Sequence, residues 1–271
     1  MTFRMSSKKI DAYFNEQKIH AEQLSYKVDY RQIHYVCSGD EQNPLVLFVH
    51  GSPGSLSAFI HFLADSALLK QYMLITTDRP GFGYSNFGDA EPSINKQAEL
   101  LMPIVEKYRA NRPVILVGHS LAAPVIAQMA IDHPELIDGL VIVAGSIDPD
   151  LEPNEAWFRI PLSTPFLSWI LPRSFRASNE ELYNFKSELN AMLPHWSEIK
   201  IPVVVVQGGK DTFVDPGNAA FAKKMIVNAP VEVIYKDDMD HFVPWSDPEL
   251  IVKGILRADE LMEIKKHQLL F

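Results

Sequence analysis

One cysteine, Cys37, stands among 271 residues, so no disulfide can close within the chain, and a reducing, cytoplasmic setting is the expectation. Basic residues are outnumbered, 25 Lys and Arg against 34 Asp and Glu. The resulting net charge of −9 argues against a nucleic-acid partner, which calls for clustered positive charge. No apolar run approaches the ~18 residues that a membrane-spanning helix needs. The opening M-T-F-R-M-S-S-K-K-I-D-A-Y-F-N carries positive charge but no apolar core of signal-peptide length, and no stable membrane insertion is expected. Internal repeats and low-complexity tracts are missing, which removes solenoid and linker architectures. The nine histidines are scattered without paired spacing, so no metal site is expected. No Gly-rich phosphate loop follows a strand pattern either, and the chemistry is expected to need no cofactor. What the chain does have is 47% apolar residues, ample for a core.

Those apolar residues come in short runs: 44–49 (P-L-V-L-F-V), 73–77, 113–117 (P-V-I-L-V), 140–144, 202–206 (P-V-V-V-V) and 231–235. Val- and Ile-rich runs without polar alternation suit strands buried on both faces. Helical periodicity fills the gaps at 56–69, 93–109, 121–132, 219–227 and 248–266. Alternation of this kind predicts an α/β fold, a mostly parallel sheet flanked by helices. Residues 32–37 read as an added antiparallel strand at the sheet's edge. Before them, the pattern offers only a short helix carrying Ile10 and Phe14.

Between 147 and 195 the rhythm breaks. No strand pattern occurs there, while six of the nineteen prolines and the aromatics Trp157, Phe158, Phe166, Trp169 and Phe185 do. Ser178-Asn179-Glu180-Glu181 reads as a capping box that starts a helix with Leu182, Phe185, Leu189 and Met192 on one face. A stretch this long and apolar is no loop. The organisation is therefore core at 1–146 with a short N-terminal extension, an inserted helical cap at 147–197, and core again at 198–271. Its aromatics either pack the cap on itself or line a pocket over the strand ends. Arg159, Arg173 and Arg176 are either solvated cap residues or partners for a carboxylate.

Gly118-His119-Ser120-Leu121-Ala122 sits where a strand pattern ends and a helix begins. A nucleophile at so sharp a turn needs a strained backbone, with small residues two before and two after it, and Gly118 and Ala122 meet that need. Ser120 fits a plain helix N-cap as well. His50-Gly51-Ser52-Pro53-Gly54 follows the first buried run. It is either a plain tight turn or one that aims the N–H of Ser52 into the same cleft as the N–H of Leu121. Pro53 has no N–H to offer, and two such donors make an oxyanion hole. Asp211 follows the 202–206 run and His241 follows the 231–235 run, so both project from the edge that carries Ser120. In the order Ser, Asp, His, these residues fit a triad in which His241 relays the proton of Ser120 and Asp211 fixes the imidazole tautomer. Asp148 and Asp150 are alternatives for the acid. Asp215, Asp237, Asp238 and Asp240 read as solvated loop charges.

With these motifs in place, the sequence resembles the α/β-hydrolase superfamily, in its serine-nucleophile branch with a helical cap, from about Gln32 to the C-terminus. H-G-S-P-G is similar to the family's oxyanion turn, Asp78-Arg79-Pro80-Gly81-Phe82-Gly83-Tyr84-Ser85 to its D-x-x-G-x-G-x-S loop, and G-H-S-L-A to its nucleophile elbow, with Ala122 in place of the commoner glycine. The resemblance implies that His50 and Asp78 support the turns without taking part in the chemistry. Relatives similar to haloalkane dehalogenases and epoxide hydrolases carry Asp at the nucleophile position, and dienelactone-type relatives carry Cys. Ser52 and Leu121 also depart from the prolyl-iminopeptidase pattern.

The expectation is a carboxylesterase-like serine hydrolase acting on a small, partly apolar acyl compound. A carbon–carbon hydrolase of the ring-cleavage type and a non-catalytic ligand-binding protein on the same fold are the alternatives. Oligomeric state is open.

Overall fold

The computed structural model describes residues 3–153, 161–162 and 170–270. Eight strands form one sheet: β1 (Ala21–Val28), β2 (Arg31–Ser38), β3 (Leu45–Val49), β4 (Met73–Thr77), β5 (Val114–His119), β6 (Gly139–Val143), β7 (Val203–Gly208) and β8 (Val231–Lys236), in the order β1-β2-β4-β3-β5-β6-β7-β8. β1 pairs with β2 and β2 with β4 antiparallel; every other pairing is parallel. The α-helices among the described residues are α1 (Ser7–Gln17), α2 (Ile94–Tyr108), α3 (Ala122–Asp132), α4 (Arg173–Met192), α5 (Asn218–Met225), α6 (Val243–Ser246) and α7 (Pro248–Leu270). Among those residues no helix is long and apolar enough to cross a membrane.

The unbroken apolar runs are explained by burial on both faces. Along β3, Leu45, Leu47 and Val49 point into one core layer with α2, α3 and α4, while Val46 and Phe48 point into the other with α1 and α7. β5, β6 and β7 divide in the same way, Val203 and Val205 on one side, Val204 and Val206 on the other. Each such side chain contributes roughly 1.5–3 kcal/mol relative to exposure. A strand with only one buried face would alternate with polar residues, and these do not.

The chain enters the sheet's centre at β3, steps to β4 on one side, then crosses to β5 on the other. Between β3 and β5 the loops leave the strand ends in opposite directions, and open α/β sheets hold their ligands in the crevice this creates. Ser52 follows β3 and Ser120 follows β5.

Three sequence expectations need correction. The sheet's edge is β1, not the 32–37 strand. Leu24, Tyr26 and Val28 alternate with polar residues, and this half-buried pattern pairs residue by residue with β2. Residues 56–69 form two 3-10 turns, Leu56–Ala58 and Phe62–Ala64, rather than a helix. There the Ser55 hydroxyl caps the N–H of Ser57, and the N–H of Leu56 is drawn to the Asp78 carboxylate. Finally, Ser178-Asn179-Glu180-Glu181 caps nothing. α4 starts five residues earlier, just after Pro172, whose fixed φ suits a helix entrance. Glu181 is thus free for another partner.

Candidate active site

Ser120 occupies the turn from β5 into α3 with φ of +56°, in the left-handed region. The conformation is held by its own N–H, which donates to the Val143 carbonyl at 2.9 Å, and by its carbonyl, which accepts from Ala123 at 3.0 Å. A side chain at Gly118 would collide with the Ala122 carbonyl and Ile126, so strand and helix can close on each other only with glycine there. The outcome is a hydroxyl lifted clear of the sheet edge.

His241, on the loop after β8, places Nε2 3.1 Å from Ser120 Oγ, and its Nδ1 lies 2.8 Å from Asp211 Oδ2. A carboxylate oxygen can only accept, so Nδ1 carries the proton and Nε2 is left to accept from the serine. Asp211 is fixed in turn: its Oδ1 accepts from the N–H groups of Phe213 and Val214 at 2.9 and 2.8 Å. The two loops are stitched together by backbone bonds from Gly209 N–H to Lys236 and from Lys210 N–H to Met239, at 2.9 and 3.0 Å. A Cβ at Gly208 would stand 2.2 Å from the Met239 carbonyl, so they touch without room for a side chain. Beneath them lies His119, whose Nε2–H donates to the His241 carbonyl at 2.9 Å. Burial and the neighbouring His241 push its pKa down to about 3.

Asp148, by contrast, accepts from the N–H of Asp150 in a local turn, and the described partners of the His241 ring nitrogens are Asp211 and Ser120. Gly51 is pressed against Ser120: a Cβ there would come within 2.9 Å of Ser120 Cβ. Ser52 and Leu121 line the cavity into which Ser120 opens, and among the described residues neither of their backbone N–H groups has an acceptor. His50 is fully buried, its Nδ1–H donating to Gly51 O at 2.6 Å and its Nε2 accepting from Arg79 N at 3.0 Å. Burial, with the Arg79 charge beside it, holds it neutral, far below the ordinary histidine value. Asp78 accepts from Leu56 N–H, Tyr84 N–H and the His34 ring. Both residues hold turns through these bonds.

Two chambers meet at Ser120 and His241. One, of about 570 Å³, is walled by Ser146, Leu182, Tyr183, Phe185 and Lys186. The other, of about 460 Å³, is aromatic, walled by Phe3, Phe175, Phe213, Phe242 and Trp245. The sequence reading sought the apolar wall in the cap. Trp157, Phe158, Phe166, Trp169 and Arg159 lie outside the described residues. Phe213, Phe242 and Trp245 were missed, although each follows Asp211 or His241 by one to four positions. The Phe213 ring stands 5.4 Å from the His241 ring, and Phe213 is 66% exposed at the mouth. Arg173 lies against Gly88, and Arg176 lies beside Glu180, whose carboxyl burial raises and Arg176 pulls back. Among the described residues no cluster of His, Cys, Asp and Glu is placed to hold a metal ion.

Residues 44–167 match the family model of the alpha/beta hydrolase fold. A membrane phospholipase A of known structure superposes with a TM-score of 0.69 at 18% identity, covering 95% of this chain and 92% of that one. Sheet order and family model agree on an α/β-hydrolase fold. Among curated proteins it is 24% identical over 268 residues to the 2-(acetamidomethylene)succinate hydrolase of Mesorhizobium japonicum, covering 86% of this chain and 94% of that protein. It is 26% identical to Protein ABHD8 of Bos taurus, covering 79% of this chain but 56% of the relative, so it spans little more than half of that protein's length.

Proposed function

We propose that the protein is a serine hydrolase that cleaves a small ester or related acyl compound through an acyl-enzyme, beneath a helical cap at 147–197. The observation that carries this reading is the unbroken chain of contacts from Ser120 Oγ through the His241 ring to Asp211, at 3.1 and 2.8 Å. As Oγ attacks the acyl carbon, Nε2 of His241 takes its proton, and the charge that develops on the imidazole is met by Asp211. The tetrahedral oxyanion is received by the N–H groups of Ser52 and Leu121, with the α3 N-terminus adding its dipole. Loss of the leaving group, reprotonated by His241, leaves an ester on Ser120. Water then repeats the sequence and frees the acid.

The aromatic chamber suits one apolar limb of the substrate, and the chamber with Ser146, Tyr183 and Lys186 suits a more polar one. A fluorophosphonate probe should label the native protein and leave Ser120→Ala unlabelled, with turnover down by about 10⁶-fold. Equal labelling of the two proteins would sink the proposal. p-Nitrophenyl esters of graded acyl length should then be cleaved, with a preference for apolar acyl groups. Labelling without cleavage of any of them would favour the carbon–carbon hydrolase.

A further inference from the structure

A complete ion pair lies beneath the oxyanion turn. Glu181, in the third turn of α4, is 1% exposed, and Arg79, just beyond β4, is fully buried. The carboxylate is saturated. Oε1 accepts from Arg79 Nη1 at 2.6 Å and from Gln97 Nε2 at 3.1 Å; Oε2 accepts from Arg79 Nη2 at 3.2 Å and from the Ser52 hydroxyl at 2.8 Å. Of the other donors of Arg79, Nη1 also reaches Gln97 Oε1 at 2.7 Å, while Nε holds the His50 carbonyl at 2.8 Å and Nη2 the Gly51 carbonyl at 3.2 Å, both on the oxyanion turn. The peptide before Ser52 is thus gripped by Arg79 and the side chain after it by Glu181.

Burying two charges costs several kcal/mol of hydration each, and apolar replacements of such pairs are often as stable, so stability alone is a weak reason for this arrangement. Its placement supplies a better one. Both ends of the network close on Ser52, one of the two residues whose N–H groups are offered to the oxyanion. Donors of this type must be fixed before the charge forms, because reorientation during the reaction cancels the gain.

We infer that Glu181 is a positioning residue, holding Ser52 through its hydroxyl so that the oxyanion turn is set only while α4 is seated on the core. The inference rests on the serine-hydrolase reading. It separates the role of the Ser52 side chain, which touches Glu181, from that of the Ser52 N–H, which every substitution except proline retains. α4 thereby becomes part of the catalytic geometry as well as a wall.

The test uses the intact chain and the fluorophosphonate probe, resolving the maximal labelling rate from the half-saturating probe concentration. Ser52→Ala should lower the maximal rate by about 30-fold, somewhat less than outright removal of an oxyanion donor. Half-saturation should move less than about twofold, because ground-state probe binding does not need the donor. Ser52→Thr, which keeps the hydroxyl, should recover most of the rate. Glu181→Gln should be slowed at least as much as Ser52→Ala; if it does not fold, the Ser52 pair decides alone. A purely structural role would lower the melting temperature of Ser52→Ala and leave its rate per folded molecule intact. A native rate in Ser52→Ala, or equal slowing in the alanine and threonine variants, overturns the inference. Failure of the native protein to label overturns the serine-hydrolase reading instead.

Discussion

The floor and the roof of the cleft are built by different means. The floor is the edge of a parallel sheet, where Ser120 follows directly on β5, and Asp211 and His241 lie on the short loops that follow β7 and β8. The roof is α4, which seats through Phe185, Leu189 and Met192 in the shared core and through one buried carboxylate, Glu181. Floor residues are placed by short backbone segments that have no freedom to drift. Glu181, by contrast, reaches Arg79 across 102 residues of chain and Ser52 across 129. Side chains around one cavity can therefore be positioned either by local backbone geometry or by a single long-range bridge, and this protein uses both.

The comparison is tested hardest at the floor. Asp211→Asn leaves the loop's shape but frees the imidazole to take the wrong tautomer, and ester turnover should fall by about 10⁴-fold. A loss of only a few-fold, with the circular dichroism spectrum unchanged, would mean that the strand-edge geometry is not what drives the reaction. Next comes the roof. Phe185→Ala should cost about 3–5 kcal/mol in urea unfolding, as truncation of a fully buried ring does. A cost under about 1 kcal/mol would show α4 lying loosely on the core, and the floor would then be the only rigid half.

The smallest effect separates the halves by acidity. His119 has its pKa pushed from 6.5 to about 3, so the fold favours the neutral ring. Its contribution is complete above pH 6.5 and is lost as pH falls from there towards 3, at up to about 1.4 kcal/mol per pH unit. Urea midpoints at pH 7.0 and 5.5 should therefore diverge more in the native protein than in His119→Gln, by about 1 kcal/mol of stability. Parallel behaviour of the two proteins would remove His119 as a source of acid sensitivity beneath the floor.

The floor was legible in the sequence, and so was the apolar face that seats α4, but the roof's polar anchor was not, for a physical reason. Unbroken Val and Ile runs announce strands buried on two faces, and the residue after each run is tied to the sheet edge whatever the rest of the chain does. That logic put Ser120, Asp211 and His241 on one edge, and they lie within hydrogen-bonding distance. Glu181 defeated it, because a carboxylate followed by apolar residues at helical spacing looks like the start of a helix. Only its distant partners reveal that it sits inside one. Phe213, Phe242 and Trp245 were overlooked because loop aromatics carry no periodicity. β1 was overlooked because its pattern is half polar, although its alternation was present in Leu24, Tyr26 and Val28.

The close seam between the Asp211 and His241 loops has a consequence for recombination. Met239 leaves no space over Gly208, and Gly209 and Lys210 of one loop donate backbone hydrogen bonds to the other, so they form one mechanical part although Asp211 and His241 are 30 positions apart. A graft that imports either loop alone from a relative would misplace its mate. Lengthening one would displace the other's side chain before it touched any substrate. In shuffled libraries of such proteins, these segments should survive only when inherited together.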